Sequence, residues 1–152
     1  MKHYEQLTGK QKETDLQLKK DNVANATESM KQRYFTLTNN SYCSSIYDTF
    51  MKEEYRILIT RWRLSCFDLK IETGRYRGIP REHRLCPICN IIEDEHHVIF
   101  ECRAYNNVRS QFSDILEENT TIQMILNPRG KEMAEKVGLM LKLIEKQRDD
   151  IF

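Results

Sequence analysis

The sequence predicts a small, mainly α-helical domain. Apolar residues recur at intervals of three or four positions in three separate stretches, which is the pattern of a helix with one buried face. Strand-like alternation of apolar and polar residues never extends beyond a few positions. A chain of 152 residues is also long enough to bury one hydrophobic core. We therefore expect helices packed around a single core.

Composition divides the chain into two segments. Residues 1–28 hold few large apolar side chains, and their five lysines are balanced by five acidic residues. This composition is typical of a frayed polar helix or a disordered segment. The helical domain is accordingly predicted to span residues 29–152.

Three helices are predicted within that domain. The first covers about residues 46–66, the next about 104–118 and the last about 130–148, each with one apolar stripe. The stripes are expected to bury against one another, although the last helix could instead dock into a partner protein. A loop after the first helix is predicted at the residues that break helices, which are Gly74, Gly78 and Pro80.

Charge and hydropathy exclude several classes of protein. The 24 basic and 23 acidic residues leave a net charge of +1, which argues against a polycation or an acidic disordered tail. No stretch of about 18 apolar residues is present, so no helix is expected to span a membrane. The first ten residues lack the apolar segment of a signal peptide. We expect an intracellular protein that is not secreted, in either the nucleus or the cytoplasm.

Three of the five cysteines fall within 17 residues, together with two adjacent histidines. Cys86 and Cys89 are followed by His96 and His97, and then by Cys102. Thiolates and an imidazole at such spacing are typical ligands of tetrahedral zinc, and a Cys-x2-Cys turn brings two sulfurs to one ion. With four protein ligands the site would be closed, and closed zinc sites are structural rather than catalytic. The predicted fold is therefore a helical domain with a zinc-stapled turn between its helices.

Two other interpretations of these cysteines carry less weight. They could be small buried apolar residues, or Cys86 and Cys89 could form a redox dithiol, although the βαβ context of such a motif is missing. The odd cysteine count and the lack of an export signal argue against disulfides. Cys43 and Cys66 lie outside this window and are predicted to be core residues.

Several motifs around the cysteines carry a resemblance to a known family. They are Arg61-Trp62-Arg63-Leu64-Ser65, Ile71-Glu72-Thr73-Gly74-Arg75-Tyr76, Arg84-Leu85-Cys86-Pro87-Ile88-Cys89, Glu93-Asp94-Glu95-His96-His97, and Cys102 with Tyr105 and Arg109. Together they resemble the zinc-binding region that follows the polymerase domain of non-LTR retrotransposon reverse transcriptases. The likeness is clear from about Tyr55 to Arg109, and it is weaker beyond.

The resemblance implies a ligand set and a partner. Cys86, Cys89, His97 and Cys102 would form a Cys-Cys-His-Cys zinc knuckle, since His96 stands where such sequences usually carry an apolar residue. In that family the knuckle is taken to assist binding of template RNA or target DNA.

No enzyme is expected in this chain. Polymerisation needs paired aspartates that hold two metal ions, and Asp149-Asp150 is the one Asp-Asp pair, near the end of a lysine-rich helical stretch. The acidic run of Glu93, Asp94 and Glu95 is compact, and it is predicted to lie in the knuckle loop with no distant basic partner. The chain resembles a zinc module without its polymerase domain.

Basic residues are concentrated before the cysteines. From Arg56 to Arg84 there are eight basic and three acidic residues, a local net charge of +5. Guanidinium groups beside an aromatic ring suit weak, sequence-tolerant contacts with RNA or single-stranded DNA. The predicted basic surface consists of Arg56, Arg63, Arg75, Tyr76, Arg77, Arg81 and Arg84.

An alternative assigns the same arginines to ion pairs or to solvent. If they pair with Glu93, Asp94 and Glu95, the chain would be a zinc-stabilised structural or protein-interaction domain with no nucleic-acid role. The exposure of these arginines and the partners of the acidic run distinguish the two hypotheses.

Overall fold

The computed structural model describes residues 30–38 and 49–151, and these ranges are mainly helical. This confirms the predicted fold class. The α-helices are α1 (Met30–Thr38), α2 (Glu53–Arg63), α3 (Lys70–Tyr76), α4 (Asn106–Gln111), α5 (Ile122–Leu126) and α6 (Lys131–Ile151). Within those ranges no strand is formed, and extended pairing is limited to one antiparallel bridge between Leu85 and Ile92. The predicted polar segment 1–28 and Cys43 lie outside the described residues.

Helices α2 and α6 pack against each other at the centre of the core. The α2 stripe of Tyr55, Leu58 and Trp62 is buried, as its spacing predicts. A Cβ atom on Gly138 of α6 would lie 2.4 Å from Cβ of Tyr55, so the two backbones approach more closely than any larger residue would allow. Through this contact α6 lies against α2, the helix that comes before the cysteines in the sequence.

Helix α2 is shorter than the predicted helix of residues 46–66, of which 46–48 lie outside the described residues. It begins at Glu53, and the two acidic residues in its first turn interact favourably with the positive N-terminal end of the helix dipole. After Arg63 the chain leaves the helix through a Schellman turn, in which Ser65 has a φ of 50°.

The Schellman turn sets the environment of the two residues that form it. The N–H of Ser65 donates to the carbonyl of Trp62 (3.1 Å), and the N–H of Cys66 donates to that of Arg61 (2.8 Å). Cys66 is thereby carried to the surface, and the prediction that it is a core residue is wrong. Ser65 remains buried and faces the acidic run.

The loop predicted after α2 is in fact interrupted by α3. Gly74 lies inside this helix, where the side chain of Arg84 crosses it. A Cβ at position 74 would lie 2.6 Å from Cγ of Arg84, so the crossing requires glycine. Gly78, with a φ of 67°, ends the segment as the left-handed residue of a second Schellman turn. Gly78 therefore acts as a predicted breaker and Pro80 lies in the loop that follows, whereas Gly74 does not break the helix.

The remaining helices differ from the prediction in their number and in their extent. The stretch predicted as one helix over residues 104–118 is a 3-10 turn, Arg103–Tyr105, followed by the six residues of α4. Helix α6 closely follows the predicted range of 130–148. Helices α1 and α5 were not predicted, and side chains of α5 and of the residue after it donate to the carbonyls of Thr36 and Leu37 in α1. No helix of the described ranges is long and apolar enough to cross a membrane.

Candidate metal centre

The side chains of Cys86, Cys89, His97 and Cys102, the ligand cluster, converge on one point. Their potential ligand atoms all lie within 4.8 Å of one another. The sulfur of Cys102 is 3.7 Å from the sulfurs of both Cys86 and Cys89. A disulfide would need about 2.0 Å, whereas two thiolates on one tetrahedral zinc, each about 2.3 Å from the ion, are about 3.8 Å apart. The cluster could therefore hold a metal ion.

The first two ligands are placed by a tight turn. The N–H of Cys86 donates to the carbonyl of Ile91 (2.7 Å), and the N–H of Asn90 donates to the carbonyl of Cys86 (2.8 Å). Asn90 has a φ of 56°, a left-handed conformation that asparagine adopts more readily than most residues. The Leu85–Ile92 bridge continues this pairing, so the turn projects both sulfurs to the same side.

The other two ligands are placed by a π-helical turn, His97–Glu101. The N–H of Cys102 donates to the carbonyl of His97 at 2.7 Å, which is the i to i+5 bond of that helix type. In a regular α-helix, residues five positions apart are about 140° apart around the axis and diverge. The wider turn brings His97 and Cys102 together, and single π turns often occur at functional sites.

The orientation of the His97 ring indicates which nitrogen faces the cluster. Its Nδ1 lies 3.4 Å from a carboxylate oxygen of Glu101. Its Nε2 is buried and has no hydrogen-bond partner among the described residues. A buried unsatisfied nitrogen is costly, and a carboxylate on the other nitrogen is the usual support of a metal-binding imidazole. We therefore assign Nε2 as the potential ligand atom.

His96 does not belong to the cluster. Its side chain is 57% exposed, against 2% for that of His97, and its ring lies against Phe100. The structure thus brings together the four residues that the resemblance selects.

The surroundings shift the pKa values of two thiols of the ligand cluster in opposite directions. Burial, reinforced by the neighbouring sulfurs, raises the pKa of Cys102 to about 12. Burial also acts on Cys89, but hydrogen bonds from Arg103 outweigh it and lower the pKa of Cys89 to about 7. Adjacent thiolates repel one another, and a divalent cation bound between them would offset that repulsion by attracting each sulfur.

The acidic run has distant basic partners, contrary to the sequence prediction. Both oxygens of Glu93 accept from the guanidinium of Arg148 on α6, at 2.9 and 3.1 Å. One of them also accepts from the N–H of Lys70, which begins α3 (2.8 Å). Glu93 is therefore a buried junction between two helices and the ligand cluster rather than a solvated loop residue.

The other two acidic residues are also committed to structure. Asp94 accepts from the N–H of His97 at 2.9 Å and so caps the turn that carries this ligand. Glu95 is buried, accepts from the hydroxyl of Ser65 at 2.8 Å and pairs with Arg33 of α1. Neither Arg33 nor Arg148 was predicted to be a partner, because the sequence carries no local pattern that pairs residues so far apart.

Two residues of the predicted basic surface are buried, which corrects that prediction. Arg63 is only 3% exposed, with its guanidinium 5.8 Å from the ring centre of Tyr34 in α1. Arg84 is 9% exposed and donates to the carbonyls of Ile79 (2.8 Å) and Ile71 (3.0 Å). Because the unpredicted α1 covers Arg63 and α3 accepts Arg84, neither side chain is available to a phosphate.

The other five residues of the basic surface differ in how much they are engaged. Arg56 pairs with Glu53 at 3.3 Å, and Arg75 pairs with the buried Glu72 at 2.7 Å. The guanidinium of Arg75 also lies 4.6 Å from the ring centre of Tyr76, which is 70% exposed. Arg77 and Arg81 are exposed. Glu93 and Glu95 pair with arginines outside this set, so the pairing predicted by the alternative hypothesis is not the one these carboxylates make.

Comparisons of the chain with protein-family models, with curated proteins and with solved structures find no match. The described residues define a small helical domain with a candidate metal centre at the junction of its helices.

Proposed function

We propose that this chain is a zinc-binding module in which Cys86, Cys89, His97 and Cys102 ligate one ion. The observation that carries the proposal is the convergence of three sulfurs, of which that of Cys102 lies 3.7 Å from each of the other two, with a buried, unsatisfied imidazole nitrogen. Thiolates with an imidazole suit zinc, which prefers four such ligands. Four protein ligands leave no position for water or substrate, so the proposed role of the ion is structural and the module is not an enzyme.

We further propose that the module binds RNA or single-stranded DNA, weakly and without sequence preference. Support comes from the resemblance to the region after the polymerase domain of non-LTR retrotransposon reverse transcriptases. It also comes from the exposed ring of Tyr76, flanked by Arg75 and Arg77. An exposed aromatic ring between guanidinium groups can stack on a base while the cations contact phosphates.

A second candidate function is a zinc-stabilised protein-interaction domain. It is favoured by the burial of Arg63 and Arg84 and by the pairing of Arg75 with Glu72, which together reduce the charge available to phosphates. Both candidates share the proposed zinc site and differ only in the partner.

One preparation of the full chain can test both parts of the proposal. Elemental analysis should give one zinc per chain, and absence of any bound metal would overturn the zinc site. Binding of a fluorescent single-stranded RNA, and of DNA of the same sequence, is then measured across salt concentrations. Affinity that falls steeply with salt supports the nucleic-acid module, whereas flat salt dependence favours the interaction domain.

A further inference from the structure

The guanidinium group of Arg109 contacts the backbone of the turn that holds two of the four proposed ligands. Arg109 lies on α4, seven residues after Cys102, and is half-buried. Its Nη1 donates to the carbonyl of Val98 at 3.3 Å. Its Nη2 donates to the carbonyl of Cys102 and to Oδ1 of Asn106. One side chain therefore joins the residue after His97 to the backbone of the last ligand.

The carbonyl of Val98 depends on Arg109 because its regular donor is used elsewhere. If the π helix continued, this carbonyl would accept from the N–H of Arg103, five residues on. That N–H instead points to the sulfur of Cys89, at 3.5 Å. The Arg109 guanidinium thus supplies the bond that the backbone gives up so that a ligand sulfur can be hydrogen-bonded.

We propose that Arg109 is a positioning residue of the metal centre, a role that rests on the proposed zinc site. It holds the π turn in the conformation in which His97 and Cys102 face the same ion, and it leaves the Arg103 N–H to the sulfur of Cys89. Arg109 touches no ligand atom and acts through the backbone.

The chemistry of the site calls for arginine at this position. Three thiolates and one Zn²⁺ carry a net charge of −1, which a neighbouring cation stabilises. A guanidinium is planar and can donate to two acceptors in fixed directions, whereas the ammonium of a lysine is a point charge on a flexible stem. Charge and fork geometry can therefore be separated by substitution.

The test compares Arg109→Gln and Arg109→Lys with the wild-type chain, and Arg129→Gln, at an exposed position before α6, is the matched control. Each protein is titrated with Co²⁺, whose absorption bands report ligand geometry, and Zn²⁺ affinity is measured by competition with a chelator. Removal of a group that supports metal ligands typically costs about 10–100-fold in affinity. We expect that loss in R109Q, a smaller loss in R109K and none in R129Q, with altered Co²⁺ bands in both Arg109 variants at saturation.

The outcomes separate the possible failures. Wild-type affinity and bands in R109Q would overturn the positioning role while leaving the zinc site intact, whereas a wild-type chain that binds neither ion would overturn the zinc site itself. Weaker affinity with unchanged bands at saturation would make Arg109 a general stabiliser, which also overturns the proposal. If circular dichroism shows that R109Q does not fold in excess Zn²⁺, the bands of R109K decide by the same criteria.

Discussion

Arg148 and Glu93 form a buried pair that joins the last helix to the loop between the proposed ligands. Two hydrogen bonds, of 2.9 and 3.1 Å, connect the guanidinium to the carboxylate across 55 residues of sequence. The same guanidinium donates to the carbonyl of Asp68 at 2.6 Å. Since Glu93 also accepts from the first N–H of α3, this pair fixes two helices relative to the ligand cluster.

Breaking this pair should destabilise the whole domain. Arg148→Met leaves the carboxylate of Glu93 buried without its counter-charge, and loss of one partner of a buried pair costs about 3–5 kcal/mol. We expect that decrease in the free energy of unfolding, measured by urea denaturation. The matched control is Lys142→Met on the same helix, whose ion pair with Glu54 is exposed and contributes little. Equal effects of the two variants would contradict the role of the buried pair.

Substitution of a proposed ligand should remove the metal, and substitution of a cysteine outside the cluster should not. Cys86→Ser is expected to lower the zinc content and the melting temperature together, because binding of a structural zinc contributes about 10–16 kcal/mol in small peptides. Cys66→Ser alters an exposed thiol and should leave both quantities unchanged. Elemental analysis and thermal denaturation provide the comparison, and C86S with full metal content would refute the ligand assignment.

The two adjacent histidines offer a still closer comparison. His97→Gln should abolish stoichiometric zinc binding because the buried Nε2 is the proposed ligand atom. His96→Gln should retain one zinc per chain, since its side chain is more than half exposed. Zinc retained after gel filtration distinguishes the variants. The reverse result would exchange the roles of the two residues.

Nucleic-acid binding, if it uses the exposed part of the basic surface, should depend on salt in a calculable way. Four neutralised phosphates on a single strand give a log–log slope of about −2.8, and the affinity should be about 10⁻⁴–10⁻⁶ M at physiological salt. Arg75→Ala combined with Arg77→Ala should make that slope less steep by about 1.4. Lys142→Ala, at an exposed site elsewhere, should leave it unchanged. An unaltered slope in the double variant would assign binding to another surface.

The central helix contact predicts an effect of adding one methyl group. Gly138→Ala places a Cβ atom 2.4 Å from Cβ of Tyr55, so α2 and α6 must separate. Overpacking of this kind costs about 1–3 kcal/mol, which urea denaturation would detect. Leu139→Ala, one residue along on the exposed side of α6, is the control and should change stability far less. A stable G138A variant would show that the helices can separate without loss.

The parts of the fold that sequence reasoning captured are those that local pattern determines. The spacing of Tyr55, Leu58 and Trp62 follows the helical period, and these residues are buried as that period predicts. Helix α3 was not predicted because glycine normally disfavours a helix, whereas Gly74 makes room here for the side chain of Arg84. That requirement comes from tertiary packing, and no local propensity contains it.

The same division applies to the candidate site. Spacing and residue type pointed to the ligand cluster, since few other arrangements bring cysteines and a histidine so close in sequence. The partners of the acidic run could not be predicted, because Arg33 is 62 residues from Glu95. The π turn was not predicted either. The burial of Arg63 likewise depends on α1, an element with no strong apolar period.

The loop that carries the acidic run pairs with two arginines, one earlier and one later in the chain, and translation makes them at different times. Arg33 precedes Glu95, whereas Arg148 follows Glu93 by 55 residues. A ribosome therefore completes all four proposed ligands and the first counter-charge well before the second one exists. In the nascent chain the four proposed ligands can therefore meet while Glu93 is still hydrated, and the Glu93–Arg148 pair forms only after α6 has been made.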